Sequence, residues 1–138
     1  MTNRSFFDTN ILVYTDDMDA PAKADRALAL WQEHRCEGLA VVSIQVLQEY
    51  FWATTRKLGV DPGVATEKLM LFAKADVMNP LVDDVVSAAR LAVEHRLSFW
   101  DAMIVQMAMQ AECETLFSED MQAGRRFAGV EIVNPFAS

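Results

Sequence analysis

The segment Ser-Phe-Phe-Asp-Thr-Asn at residues 5–10 shows how this chain is built. Its apolar start predicts a short strand over residues 5–8, and its polar end is typical of a turn or a helix cap. Further short strands are predicted at residues 39–42, near residues 77–79, and at residues 115–117 and 130–133. All of them are short enough for the strands of a small sheet.

Helical segments separate these strands. Apolar periodicity and capping residues predict helices over residues 21–36, 44–58, from 61 into the low 70s, 83–95 and 99–111. The last of these is apolar almost all round, which is typical of a buried helix. Strands that alternate with helices predict an α/β sandwich, with a central, mostly parallel sheet of four to five strands and helices on both faces.

Length and composition suit one compact domain spanning residues 1–138. The chain has 138 residues, of which 52% are hydrophobic, and neither repeats nor a linker interrupt it. Its longest charge-free stretch has only eleven residues, 38–48, whereas a membrane span needs about 20. No apolar leader precedes Arg4, and the two cysteines, Cys36 and Cys113, lack paired spacing. These features predict a reduced protein in the cytoplasm.

The formal charge of −8 argues against a broad surface for binding phosphates. A nucleic-acid substrate would require local basic clusters, or metal ions that bridge carboxylate and phosphate oxygens. The candidate basic residues for RNA binding are two adjacent pairs, Arg56 with Lys57 and Arg125 with Arg126. Such residues also occur on many surfaces simply as solvated charges.

Two acidic positions follow predicted strands. Asp8 ends the first strand, and Asp120 comes shortly after the strand at residues 115–117, behind Ser118 and Glu119. Each has a structural explanation as a turn or capping residue. Each also has a functional one, because chemistry in parallel sheets collects at the carboxyl ends of the strands.

Two further acids lie on helices. Asp101 stands three residues after Ser98, a capping-box pattern that explains an acid in the first helical turn, yet its neighbours are apolar. Glu49 is predicted on the side of its helix opposite a stripe formed by Leu47, Phe51, Thr54 and Leu58, where solvation is the ordinary explanation.

If Asp8, Glu49, Asp101 and Asp120 converge at one edge of the sheet, their like charges repel. Protonation or a hard divalent cation relieves that repulsion, and Mg²⁺ and Mn²⁺ prefer such oxygen ligands. Metal ions held there can activate water and hold a phosphodiester. The pattern therefore favours phosphodiester hydrolysis.

The chain also resembles the PIN-domain family, and more narrowly the VapC-like ribonuclease toxins of toxin–antitoxin modules. The resemblance covers the whole chain and is carried by Phe-Phe-Asp-Thr-Asn at 6–10, the helix start at 43–49, Ser-Phe-Trp-Asp-Ala at 98–102, Leu-Phe-Ser-Glu-Asp-Met at 116–121 and Ile-Val-Asn-Pro-Phe at 132–136. It implies a PIN-like fold and an endoribonuclease dependent on Mg²⁺ or Mn²⁺.

For the site, the resemblance implies an acidic quartet of catalytic and metal-binding residues, Asp8, Glu49, Asp101 and Asp120. Thr9, Asn10 and Ser118 are then the supporting polar groups. Either Glu119 or Asp120 is the fourth acid, and analogy favours Asp120. The implied partners are an RNA substrate, a second copy of the chain in a homodimer, and a cognate antitoxin whose basic side chains suit the negative charge. Trp31 and Trp52 could stack on bases, but burial or a dimer contact is the favoured explanation for both.

Three other functions fit parts of the pattern. A haloacid-dehalogenase-like phosphatase has a similar Phe-Asp8-Thr loop, but it needs a second aspartate where Asn10 stands and a lysine later than Lys74. A receiver-like signalling module lacks the same lysine. A stand-alone PIN-like domain for RNA processing or RNA binding shares every motif and differs from a toxin only in its context.

Overall fold

The computed structural model describes residues 3–137, which form one six-stranded sheet packed against helices. The strands are β1 Ser5–Phe7, β2 Ala40–Ser43, β3 Asp76–Met78, β4 Thr115–Phe117, β5 Arg126–Phe127 and β6 Val130–Val133. The helices are α1 Thr9–Tyr14, α2 Pro21–Cys36, α3 Ile44–Lys57, α4 Pro62–Phe72, α5 Val82–His95 and α6 Phe99–Gln110. The predicted α/β sandwich with a mostly parallel sheet is confirmed.

Strand order in the sheet is β3-β2-β1-β4-β6-β5. β1 lies at its centre, parallel to β2 and β4, with Phe6 opposite Val41 and Phe7 opposite Phe117. Only β5 runs antiparallel, against β6. The carboxyl ends of the parallel strands therefore point to the same edge, the carboxyl edge of the sheet.

Helices cover both faces of the sheet. Every residue of β1 and β2 is buried, and successive side chains of a strand point to opposite faces, so neither face is open at the centre. On one face the Phe7 ring packs edge-on against Trp31 at 5.0 Å, and Phe72 joins Trp31 to Tyr50 at 5.1 and 4.9 Å. This apolar packing holds the carboxyl edge in place.

Several boundaries differ from the predictions. The first strand ends at Phe7 because Asp8 caps α1, its Oδ1 accepting a hydrogen bond from the Thr9 amide at 2.7 Å. α1 was not predicted, since six residues carry too little periodicity. β5 was not predicted either, since its two residues match no strand pattern, so the sheet has six strands rather than four to five. The buried stripe of α3 is also shifted, to Val46, Tyr50 and Thr54.

The buried helix α6 matches its prediction, since it is buried from Ala102 to Ala108, including Gln106. Gln106 satisfies its amide by donating to Asp84 on α5 at 3.2 Å. Among residues 3–137, no helix is long and apolar enough to cross a membrane.

Candidate active site

Asp8 and Ser118 meet at the carboxyl edge because β1 and β4 are neighbours. Phe7 pairs with Phe117, so the next residue of each strand lies beside the other. The Ser118 hydroxyl donates to Asp8 Oδ2 at 2.8 Å, and both side chains are buried. Two segments 110 residues apart in sequence therefore build the centre of the site.

Asp8 is a buried carboxylate with only neutral donors around it. Besides Ser118 and the Thr9 amide, the Asn10 amide group donates to Asp8 Oδ2 at 3.2 Å. Burial, with a smaller contribution from the charges of Asp101 and Glu49, raises the pKa of Asp8 to about 6 against the opposing effect of the hydrogen bonds from Ser118 and Thr9. A nearby cation would favour the ionised form.

Asn10 links Asp8 to Asp120. Its Nδ2 also donates to Asp120 Oδ2 at 3.1 Å, while its Oδ1 accepts a hydrogen bond from the Glu119 backbone amide at 3.0 Å. These contacts set the orientation of the Asn10 amide, because its oxygen faces a donor and its nitrogen faces two carboxylates. Asn10 thereby holds two carboxylates close together.

Glu119 turns away from this group. Its Oε1 accepts from the Tyr14 hydroxyl at 2.6 Å, and its Oε2 forms an ion pair with Lys23 Nζ at 2.5 Å. Although burial alone raises its pKa, the hydrogen bonds from Lys23 and Tyr14 hold the pKa of Glu119 below its ordinary value. Of the two adjacent acids, Asp120 therefore lies with Asp8, whereas Glu119 is already neutralised by a lysine.

Glu49 is half-buried and points toward the site rather than standing on a solvated face. The Thr9 hydroxyl donates to Glu49 Oε1 at 2.8 Å, and Gln45 Nε2 lies 3.4 Å from the same oxygen. The expected solvent-facing position is wrong because the buried stripe of α3 runs through Tyr50, next to Glu49. The shift brings Glu49 beside α1.

Asp101 occupies the first turn of α6. Ser98 caps that helix by accepting a hydrogen bond from the Asp101 amide at 3.1 Å, as the capping pattern predicts. Burial raises the pKa of Asp101 above its ordinary value against the hydrogen bond with Ser98, and the charge of Asp120 adds to the rise. The capping role and a place in the site are thus compatible.

The four acids open into one cleft of about 690 Å³, which we call the acid cleft. It is lined by Asp8, Thr9, Asn10, Val13, Tyr14, Asp17, Gln48, Glu49, Trp52, Ala53, Lys57, Asp101, Glu119 and Asp120. No ion pair within residues 3–137 involves any member of the acidic quartet. In the described part of the chain, the side chains that donate hydrogen bonds to these acids are neutral.

The donor set fits a hard divalent cation, since carboxylate oxygens gather around a buried carboxylate whose pKa is raised, with the Thr9 and Ser118 hydroxyls beside them. Among residues 3–137, no three carboxylate, thiol or imidazole side chains already stand in a coordination cluster. The candidates for holding a cation are the four acids that line the cleft.

The four basic residues considered for RNA binding lie in two different places. Lys57 lines the acid cleft, and Arg56 is its exposed neighbour. Arg125 donates to the His95 carbonyl at 2.8 Å and packs over the Phe127 ring, while Arg126 pairs with Glu131 at 3.1 Å. The latter two belong to contacts around β5 and do not line the cleft.

Sequence reasoning missed Tyr14 and Lys23, which pair with Glu119. Nothing in the sequence near Glu119 indicates them, since they lie 105 and 96 residues away. It also missed that Trp52 lines the cleft with 57% of its surface exposed, so burial of Trp52 within this chain is wrong, whereas Trp31 is buried as expected.

The sequence profile of the PIN domain matches residues 5–128. The sequence matches no curated protein. Among solved structures, the fold is similar to the Mycobacterium tuberculosis toxin VapC20, described as cleaving the sarcin-ricin loop. That likeness has 22% identity, a TM-score of 0.70, and coverage of 84% of this chain and 89% of the other.

Two further structures share the fold. One is a toxin-antitoxin complex from Klebsiella pneumoniae, with 20% identity, a TM-score of 0.67 and coverage of 96% of this chain and 98% of that one. The other is VapBC2 from Rickettsia felis bound to a DNA fragment from their promoter, with 16% identity, a TM-score of 0.62, and coverage of 93% and 96%.

Proposed function

The chain belongs to the PIN domain family, and on that premise we propose that it is a metal-dependent endoribonuclease, the toxin of a toxin–antitoxin pair. The observation that carries the proposal is the acid cleft. Four carboxylates from separate segments, Asp8, Glu49, Asp101 and Asp120, share it, and none of them forms an ion pair within residues 3–137. Such an arrangement costs free energy in folding, and cation-assisted chemistry gives it a use.

In this proposal Asp8, Asp101, Asp120 and Glu49 hold Mg²⁺ or Mn²⁺. When bound, the cation lowers the pKa of a water molecule and stabilises negative charge on the phosphate. Ser118 and the Thr9 amide orient Asp8, and the Thr9 hydroxyl orients Glu49. Asn10 keeps Asp120 beside Asp8. These contacts align the acids before the substrate arrives.

Cation binding is testable without activity. We expect Mn²⁺ at about 100 times its dissociation constant to raise the melting temperature by on the order of 10 °C, because a ligand of the native state stabilises it. The Asp8→Asn and Asp101→Asn variants should lose most of this shift. An equal shift in both variants would place the cation elsewhere.

The activity test is cleavage of a labelled mixed RNA pool by the purified protein with Mn²⁺ or Mg²⁺. EDTA and the Asp101→Asn variant should each abolish cleavage, with the fold of the variant checked by circular dichroism. Cleavage that survives both Asp8→Asn and Asp101→Asn would refute a role for the acid cleft.

The toxin assignment is supported by structures of similar fold that are described as toxins and toxin-antitoxin complexes. The cognate antitoxin then supplies basic side chains to the negatively charged cleft. Expression of the toxin alone should arrest growth, and co-expression of the short protein encoded beside it should restore growth. Metal-dependent RNA cleavage without growth arrest would instead indicate a stand-alone RNA-processing domain.

A homodimer is supported by the exposed apolar side of α5. Val82, Val85, Val86 and Val93 are 79%, 41%, 44% and 83% exposed, while Ala88 on the opposite side is buried. A patch of this kind is typical of a protein interface. Sedimentation should give a dimer that Val86→Glu dissociates.

The free thiols Cys36 and Cys113 agree with a cytoplasmic location.

The haloacid-dehalogenase-like alternative is disfavoured by the role of Asn10. Its amide nitrogen donates to both Asp8 and Asp120, so this position supplies a donor where that chemistry needs a second carboxylate. Absence of a covalent acyl-phosphate on Asp8 after incubation with a phosphate ester would agree with the nuclease.

A further inference from the structure

Two exposed tryptophans are close in the chain to acids of the quartet. Trp52 lines the cleft and is 57% exposed, and Trp100 immediately precedes Asp101 and is 62% exposed. The third tryptophan, Trp31, is buried in the core at 5% exposure. A folded protein gains little by leaving large aromatic rings in water, so two such rings beside a candidate active site call for a ligand.

Both tryptophans are connected to Glu49 through α3. Trp52 follows Glu49 by three residues on α3, and Gln45 precedes it by four. The Gln45 side chain donates to the Trp100 carbonyl at 3.2 Å and lies 3.4 Å from Glu49 Oε1. Gln45 and Trp52 are two helical turns apart, roughly 10 Å, with Glu49 between them.

Trp100 is held in place although it is exposed. Its ring packs edge-on against Phe99 at 5.1 Å, and its backbone begins α6, whose cap is Ser98. A ring fixed in this way loses little conformational entropy when a flat partner stacks on it. Lys57 adds a positive charge to the lining of the same cleft.

From these contacts we propose that Trp52 and Trp100 are stacking platforms for unpaired RNA bases. The inference rests on the proposed function and adds two residues that position its substrate. Bases in a duplex are already stacked and paired, and they cannot reach these rings.

The exposed aliphatic residues of the chain do not offer the same contact. Val82 and Val93 on α5 and Met70 on α4 are exposed but lack a planar face. Aromatic rings stack on any base, which suits a platform that positions a strand without choosing its sequence.

The test uses the full protein in EDTA, so that RNA binds without being cut. Binding of an unstructured RNA 12-mer is followed by quenching of tryptophan emission and by fluorescence anisotropy of the labelled RNA. Three sets of variants are compared: Trp52→Leu and Trp100→Leu, which keep an apolar side chain; Trp52→Tyr and Trp100→Tyr, which keep a ring; and Val93→Ala, an exposed apolar control on α5.

Each leucine variant is expected to weaken RNA binding roughly tenfold, whereas each tyrosine variant stays within about threefold of the parent and Val93→Ala is unchanged. RNA with abasic sites should bind all variants equally weakly. A duplex of the same sequence should not quench tryptophan emission. In multiple-turnover cleavage with Mn²⁺, the leucine variants should raise KM and leave kcat nearly unchanged.

Unchanged RNA binding by both leucine variants would overturn the inference. It would equally be overturned if rising protein concentration alone shielded Trp52 and Trp100 from acrylamide, since a second copy would then cover them. Ring-dependent binding without any cleavage in Mn²⁺ would uphold the platforms and refute the nuclease. Metal-dependent cleavage that neither leucine substitution changes would uphold the nuclease and refute the platforms.

Discussion

Carboxylates in this protein occur in two contrasting settings. In the acid cleft, Asp8 is buried among neutral donors and its pKa is raised to about 6. Just after the carboxyl end of α1, Asp16 accepts hydrogen bonds from Lys68 at 2.8 Å and from the Tyr50 hydroxyl at 2.5 Å. Both acids are largely buried, but only Asp16 has a cation beside it.

The contrast separates carboxylates that stabilise the fold from carboxylates that are available for a ligand. The Asp16–Lys68 ion pair joins the end of α1 to α4, and the hydrogen bond from Tyr50 to Asp16 joins α3 to the same point. The charge of Asp16 is therefore compensated within the fold. Glu119 belongs to the same class through Lys23. The acidic quartet keeps its charge uncompensated, which is unfavourable for folding and favourable for binding a cation.

The largest expected effect is the difference between neutralising an acid of the quartet and neutralising an acid that is paired with a lysine. Asp120→Asn should lower the rate of RNA cleavage by at least about 100-fold, because it removes a charged oxygen from the cleft. Glu119→Gln should change the rate by less than about fivefold, because Glu119 is paired with Lys23 outside the quartet. Initial rates on a labelled RNA provide the measurement. Similar losses in both variants would remove the distinction between the two acids.

The next effect concerns stability. Lys68→Met leaves Asp16 buried without its cation, and we expect a loss of about 2 kcal/mol in the free energy of unfolding, reduced from the fully buried case because the pair is partly solvated. Urea denaturation measures it. The double variant Asp16→Asn with Lys68→Met should recover most of the loss, and no recovery would mean that packing of the lysine stem is responsible.

A smaller effect is expected from pH. In EDTA, the folded-state pKa of Asp8 is about 6, above its ordinary value of 3.8, so the native state takes up a proton first as pH falls. The free energy of unfolding that this group contributes is therefore lost at high pH, and it is gained as the pH falls through 6. Between pH 7.5 and pH 5 the parent should gain about 1 kcal/mol relative to Asp8→Asn. Parallel pH profiles of the two proteins would contradict the raised pKa.

The smallest effect is expected at β5. The Arg126 side chain is exposed and paired with Glu131 at 3.1 Å, so Arg126→Ala should change stability by less than about 0.5 kcal/mol and leave RNA affinity unaltered. Lys57→Ala should weaken RNA binding about threefold, since Lys57 lines the cleft. Anisotropy with one labelled RNA compares both, and a larger loss for Arg126→Ala would move the RNA path toward β5.

Local chemistry explains which features were predictable. A capping hydrogen bond forms within a few residues of the chain and does not depend on where the helix packs. Ser43 and Ser98 are the caps of α3 and α6, which therefore begin where the sequence indicates. α1 and β5 are too short for a periodic signal, and they exist because neighbouring elements hold them. The position of Glu49 was mispredicted because the fully buried positions of α3 are Val46, Tyr50 and Thr54, whereas Leu47 is only partly buried against the core.

Three features could be predicted from the sequence: the alternation of strands and helices, the helix caps, and the residues that carry the acids. Each of them depends on neighbours a few positions away. Which acids gather around Asp8 depends instead on the tertiary structure. Glu119 and Asp120 are adjacent in the chain, yet Lys23 draws one away while Asn10 holds the other beside Asp8. The free energy of a charge depends on its surroundings in space, and those surroundings come from residues about 100 positions away.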